Sequence, residues 1–193
     1  MTIKNELRAA RKPRADAERN RIRLIEAAKA TFAEKGADAS LEEIARVAGV
    51  GIGTLYRHFP TRDVLIGDVY RNETEQLAKA ATELAESFPP KEALRQWMVV
   101  FIDYMATKQG MYPVLNSLVG GASTLYAASG PLISSAIEML TRRAVESGDI
   151  RLEIPALDLL RAVSGLANNN GPDWKVSAKR VVDIIIAGIE VRS

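Results

Sequence analysis

Apolar side chains recur at intervals of three and four residues along most of the sequence, and this spacing favours helices over strands. The clearest series comprises Leu94, Trp97, Met98, Phe101, Ile102 and Met105. Strict alternation bounded by hairpin turns, which would indicate strands, does not stand out. The sequence therefore predicts an all-α protein.

Glycine, proline and capping residues set the predicted helix boundaries. A first helix is expected over 16–35 and ends at Gly36. Ser40 caps a second helix, with Glu43 reaching back as in a capping box, and Gly49 ends it. A third short helix carries residues 54–59, and Thr61 caps a fourth. Further helices are expected around 94–105, at 122–147 with a possible break at Gly130-Pro131, at 155–168 and at 173–191.

The fourth predicted helix, 62–86, is long enough to divide the chain into domains. At about 1.5 Å per residue it spans on the order of 36 Å, more than a three-helix domain needs. We therefore expect a basic, flexible arm at 1–15, a small helical domain at 16–62 and a larger helical domain at 63–193.

Charge is distributed unevenly between these parts. Residues 1–62 hold 13 Lys and Arg against 8 Asp and Glu, whereas the remainder holds 13 against 16. A basic N-terminal region joined to an acidic remainder favours binding of a polyanion by the N-terminal region only.

Composition disfavours several classes of protein. The chain has no cysteine and one histidine, His58, which disfavours disulfides, thiol catalysis, bound metal and cofactors. The first residues lack the apolar core of a signal peptide, and no run approaches 18 apolar residues. We expect a cytoplasmic protein without a membrane segment, and an enzyme is the rival interpretation.

Residues 41–59 carry the most informative pattern. Two short helices joined by a glycine turn and braced by a preceding helix match the helix-turn-helix plan. Small residues at Gly51, Gly53 and Thr54 would let the second helix approach base edges closely. A helical hairpin without any ligand is the alternative.

The same region resembles the DNA-binding domain of the TetR (tetracycline repressor) family. The matching stretches are RLIEAAKATFAEKG at 23–36, SLEEIARVAGVGIGTLYRHF at 40–59 and TRDVL at 61–65. Arg62 stands where the family often has lysine, and either side chain suits a phosphate.

The resemblance implies a set of DNA contacts. Ser40 and Leu41 would lie at the DNA backbone, with the basic arm near phosphates or the minor groove through Arg14 and Arg19. The major groove would be faced by Gly51, Ile52, Thr54 and Tyr56. Phosphate contacts would come from Tyr56, His58 and Arg62, while Arg57 is left open between DNA contact and solvent.

The larger domain concentrates aromatic and methionine side chains that suit either an apolar ligand pocket or a plain core. The pocket candidates are Trp97, Phe101, Tyr104, Met105, Met111, Leu115 and Tyr126.

The resemblance also implies a homodimer through the helices at about 155–168 and 173–191. Their apolar residues are expected at the dimer interface or in the adjoining core, namely Leu159, Val163, Leu166, Val182, Ile185, Ile186 and Ile189.

The resulting hypothesis is a dimeric repressor that binds a palindromic, double-stranded DNA operator and is released by a small apolar or aromatic effector. The alternative is a DNA-binding regulator with no small-molecule effector.

Overall fold

A computed structural model describes residues 2–167 and 173–191, with side chains from residue 15 onward. The all-α prediction is confirmed, since the described secondary structure is helical apart from one isolated antiparallel bridge between Ile150 and Glu190. The helices are α1 (Thr2–Lys35), a 3-10 turn (Gly36–Asp38), α2 (Leu41–Val47), α3 (Ile52–His58), α4 (Arg62–Ser87), α5 (Pro90–Gly110), α6 (Tyr112–Asn116), α7 (Ser123–Glu146), α8 (Ala156–Ala167) and α9 (Trp174–Ile189).

Two compact units make up the chain. The first contains Met1–Tyr70 and Gly110–Gly121, and the second contains Arg71–Gln109 and Ala122–Ser193. The boundary that we predicted after residue 62 differs from this division. The first turns of α4 belong to the first unit, where Leu65 and Ile66 are fully buried, and so does the segment that contains α6.

Helix α1 supplies much of the core of the first unit. Ile25, Ala28 and Phe32 are buried, as the helical spacing predicts, and Leu24 is fully buried beside them. Ile22 has the same helical spacing from Ile25, which predicts a buried side chain, but it is 46% exposed because the buried stripe begins at Leu24.

The expected start of α1 at residue 16 and the loose arm at 1–15 are contradicted, because α1 begins at Thr2. The segment has no apolar pattern and contains Pro13, but its alanine, leucine, lysine and arginine residues all have high intrinsic helix propensity.

The predicted caps mark the helix ends in the first unit. Gly36, with φ of 57°, follows the last residue of α1. The Glu43 backbone N–H donates to Ser40 Oγ at 3.1 Å, and the Val64 N–H donates to Thr61 Oγ1 at 3.2 Å. The Glu43 carboxylate accepts from Lys35 Nζ at 2.6 Å, so only the Ser40 half of the capping box has the predicted partner.

The second unit has its own apolar core. Helix α5 buries the predicted series except Met105, which is half-buried, and α7, α8 and α9 contribute Ile137, Val163 and Val182. Helix α7 continues through Gly130 and Pro131, so the possible break at that point did not occur. Within the described ranges, no helix is long and apolar enough to cross a membrane.

Candidate nucleic-acid interface

The turn between α2 and α3 depends on a glycine. Gly49 adopts a φ of 65°, a conformation that residues with a Cβ rarely adopt. Its N–H donates to the Arg46 carbonyl, and the Val50 N–H donates to the Ala45 carbonyl at 3.0 Å. A Cβ on Gly49 would also lie 2.5 Å from the Arg23 guanidinium. The sequence at this turn therefore determines the angle at which α3 leaves α2.

Helix α3 has one buried and one exposed side. Leu55 on α3 and Phe59 directly after it are fully buried, which anchors the helix to the first unit. Ile52 and Tyr56, four residues apart and therefore on one face, are 37% and 46% exposed. Thr54 is half-buried.

The beginning of α3 is open to solvent. The helix begins at Ile52, two residues earlier than we predicted, and Gly51 is its N-cap in an extended conformation. A Cβ added to Gly51 or Gly53 would meet no atom within 4 Å. Gly51, Ile52, Thr54 and Tyr56 are thus close in sequence on one short helix, and their contact with bases stays a prediction.

The electrostatics of this region favour an anionic partner. No Asp or Glu occurs from residue 44 to 62, whereas Arg46, Arg57 and Arg62 lie in that range. Arg46 and Arg57 are exposed. The sequence prediction did not include Arg46, an exposed cation on the helix before the turn whose guanidinium lies 3.7 Å from the Glu43 carboxylate.

Arg62 has partners within the protein. Its guanidinium donates to the carbonyls of Ala37, at 2.9 Å, and Ala39, and lies over the Phe32 ring at 5.2 Å from its centroid. These contacts join the start of α4 to the segment after α1. The phosphate contact expected of Arg62 stays a prediction, since two of its N–H groups have carbonyl partners and a guanidinium has further donors.

The other predicted DNA contacts lie on the first unit in different surroundings. Ser40 is exposed, while Leu41 and His58 are half-buried. Arg19 is exposed and forms an ion pair with Asp16 one turn earlier in α1. The Arg14 side chain lies outside the described residues.

The residues predicted to line a ligand pocket do not all belong to the same unit. Met111 and Leu115 belong to the first unit and are buried there, so they are not part of the core that holds the other candidates. Helix α6 belongs to the first unit because it contacts the 3-10 turn at Gly36–Asp38, and after it the Val119 N–H donates to the Asp63 carboxylate at 3.2 Å.

The remaining pocket candidates lie in the second unit. Trp97, Phe101 and Tyr104 form a stacked series with ring centroids about 6 Å apart. The Trp97 indole N–H donates to the Leu77 carbonyl at 2.8 Å, so its polar group is satisfied within the protein. Met105 is half-buried, and Lys108 Nζ lies 4.1 Å from the centroid of the Tyr126 ring.

The apolar residues predicted at the dimer interface or in the adjoining core lie in or against the core. Leu159, Val163, Val182 and Ile186 are buried in the second unit, while Leu166, Ile185 and Ile189 are partly buried against the same core. The exposed side of α9 carries Ile184 instead, which is 68% exposed. No group of three metal-ligating side chains occurs among residues with described positions.

Two family models match the chain in succession. Residues 24–69 match the family described as bacterial regulatory proteins, tetR family, and residues 89–191 match the C-terminal domain described as transcriptional regulator SbtR-like. The second match alone covers more than half of the chain.

Solved structures agree over nearly the full length. The TetR transcriptional regulator SCO0520 from Streptomyces coelicolor is 42% identical, with a TM-score of 0.80 over 90% of this chain and 99% of that one. A TetR transcription regulatory protein from Mycobacterium vanbaalenii is 30% identical, with a TM-score of 0.75 over 92% and 99%.

A curated relative, the HTH-type transcriptional regulator SAR0097 of Staphylococcus aureus, is 30% identical over 58% of this chain. The match spans 60% of that relative's length. The chain therefore belongs to the TetR family of DNA-binding transcriptional regulators and is a regulator rather than an enzyme.

Proposed function

We propose that this regulator is a dimeric repressor whose α3 helices enter the major groove of a palindromic operator. The observation that carries the proposal is the two-sided character of α3. Leu55 and Phe59 hold its inner side, while Ile52 and Tyr56 are exposed in a stretch without carboxylates. An α-helix fits the major groove, and a helix-turn-helix repressor inserts the second helix of the motif there, which in this protein is α3.

The proposed contacts divide by chemistry. Gly51, Ile52, Thr54 and Tyr56 face the bases, where hydrogen bonds and apolar contacts determine sequence preference. Phosphates are contacted from Ser40, Leu41, Tyr56, His58, Arg14 and Arg19, and we add Arg46 and Arg57 because both are exposed cations. Arg62 is kept as a proposed phosphate contact through the guanidinium donors that do not bond to Ala37 and Ala39.

Dimerisation through α8 and α9 is supported by what α9 leaves exposed. Ile184 is a large apolar side chain that finds little cover within its own chain. Gly165 and Gly188 have open space where a Cβ would stand, which allows a second backbone to approach closely. A two-fold dimer would place two α3 helices about 34–36 Å apart, one turn of DNA.

An apolar or aromatic effector is proposed to bind in the second unit near Phe101, Tyr104, Met105 and Tyr126. Stacked rings and a flexible methionine suit an adaptable apolar site. The competing proposal is a regulator without a small-molecule effector. It is supported by Trp97, which is fully buried and whose N–H already has a partner, as in a plain core.

The operator is tested by selecting bound fragments from random duplex DNA. We expect a palindromic consensus with half-site centres about 10 base pairs apart. Tyr56→Ala should weaken binding to it by about tenfold or more, since an exposed contact on the proposed face is lost. Tyr112→Ala, an equally large change at an exposed tyrosine of the first unit, is the matched control. Absence of binding to any duplex at low ionic strength would overturn the proposal.

The effector is tested by thermal shift against a library of apolar and aromatic compounds, followed by operator release. A true effector raises the melting temperature and lowers operator affinity together. Compounds that do the first without the second, or no stabilising compound at all, would favour the regulator without an effector.

A further inference from the structure

The exposed isoleucine at the start of α3 has a chemistry that limits which base it can face. Ile52 is the first residue of α3 and is 37% exposed. Its side chain has no hydrogen-bond donor or acceptor, so it gains nothing from the polar edge of a base. Gly51 and Gly53 on either side have no side chain that could shield it or bond in its place.

The major groove offers one apolar group for such a side chain. Guanine, adenine and cytosine present hydrogen-bonding atoms there, whereas thymine adds its C5-methyl group. Placing Ile52 against a polar edge would remove water from that edge without replacing its hydrogen bond. Placing it against the methyl group removes apolar surface from water on both partners.

We propose that Ile52 is a specificity-determining residue that selects thymine at one position of each operator half-site by contact with its C5-methyl group. The inference rests on the proposed function, because it assumes that α3 lies in the major groove. It adds the identity of one base and the side chain responsible for it. The neighbouring Thr54 and Tyr56 carry hydroxyl groups and have other bases or phosphates available to them.

Deoxyuridine isolates the proposed contact, since it pairs as thymidine does and lacks only the methyl group. Each thymine of the selected consensus is replaced in turn by deoxyuridine in both half-sites, and affinity is measured by fluorescence anisotropy. At one thymine we expect a loss of about fourfold per half-site, the equivalent of one buried methyl group. The two half-sites together should give on the order of 15-fold if they act independently.

Variants of Ile52 assign that loss to its side chain. In Ile52→Ala the same replacement should change affinity less than twofold, because the contact is already gone. Ile52→Gln should shift the selected base from thymine to adenine, whose N6 and N7 match a carboxamide. Ile154→Ala, at an exposed isoleucine of the second unit, is the matched control and should retain the full deoxyuridine effect. Unchanged circular dichroism would show that the variants fold.

Several outcomes would overturn the inference. If the protein selects an operator but no thymine is sensitive to deoxyuridine, Ile52 does not contact a methyl group, and the proposed function is unaffected. A sensitivity that persists in Ile52→Ala would assign the methyl contact to another residue. If the protein binds no duplex, both the inference and the proposed function are wrong.

Discussion

Gly49 and Gly53 lie only four residues apart and have opposite requirements. Gly49 has a positive φ and faces the Arg23 guanidinium, whereas Gly53 is helical with open space around it. The first position tolerates no side chain without movement of its neighbours. The second uses glycine where alanine would be a better helix former.

Substituting each glycine by alanine should therefore have different effects on the free energy of unfolding. Gly49→Ala should lower the free energy of unfolding by about 1–2 kcal/mol, from the left-handed backbone and the displaced Arg23. Gly53→Ala should leave it unchanged or raise it by up to about 1 kcal/mol. Chemical denaturation measures both, and equal losses for the two variants would contradict the assigned turn geometry.

Lys108 is a partly buried cation over an aromatic ring. Its Nζ lies 4.1 Å from the Tyr126 ring centroid, and burial lowers the pKa of the ammonium group below its ordinary value of 10.5. The unfolded chain therefore binds this proton more strongly than the folded chain does. The resulting penalty on folding is present at neutral pH and declines as pH rises towards 10.5.

Comparison with Lys108→Met isolates this dependence. Between about pH 7 and about pH 10, the wild type should gain stability relative to the variant, because only the wild type loses an unfavourable proton. Thermal or urea unfolding across that range gives the difference. Lys79→Met is the control. The ion pair with Glu83 raises the pKa of Lys79, so the wild type should gain no stability relative to this variant below pH 10.5. A flat difference for Lys108→Met would contradict the assignment.

At the scale of elements, the α2 N-cap combines a structural and a proposed functional contact in one residue. Ser40 Oγ accepts the Glu43 N–H and is also one of the proposed phosphate contacts. Ser40→Ala should lower the free energy of unfolding by about 1 kcal/mol and weaken operator binding.

Ser40→Asp separates the two contributions. Aspartate is as good an N-cap as serine, so stability should return to near the wild-type value, while its charge repels phosphate and keeps operator affinity low. Chemical denaturation and anisotropy titration measure the two effects separately. An aspartate variant that binds as tightly as the wild type would contradict the placement of Ser40 at the DNA backbone.

Elements with a buried stripe or a cap were predictable from the sequence. The ends of α1, α2 and α4 follow from Gly36, Gly49 and the Pro89-Pro90 pair, because each has a local physical cause. The start of α1 was not predictable in this way, since helix propensity without an apolar face leaves no periodic signal. Gly130-Pro131 indicated a break that α7 does not have, because tertiary packing of Ile137 and Leu140 outweighs a local preference.

At the scale of the whole molecule, the division into units depends on contacts that are distant in sequence. The segment Gly110–Gly121 joins the first unit through contacts of α6 with the 3-10 turn at Gly36–Asp38 and through the Asp63 carboxylate. Contacts between residues more than fifty positions apart produce no periodic pattern in the local sequence. For the same reason the partners of Arg62 were missed, since its carbonyl acceptors are more than twenty residues away.

The proposed dimer makes operator affinity a property of two chains. Ile184→Glu places a charge at an exposed apolar position of α9, so it should convert the protein to a monomer with unchanged helix content. Operator affinity should fall by on the order of 100-fold or more, because two half-sites are no longer bound together. Sedimentation and anisotropy measure the two effects, with Ile154→Glu as the matched control at another exposed isoleucine. A variant that sediments as the wild type does would place the interface elsewhere, and a monomer with full affinity would contradict binding as a dimer.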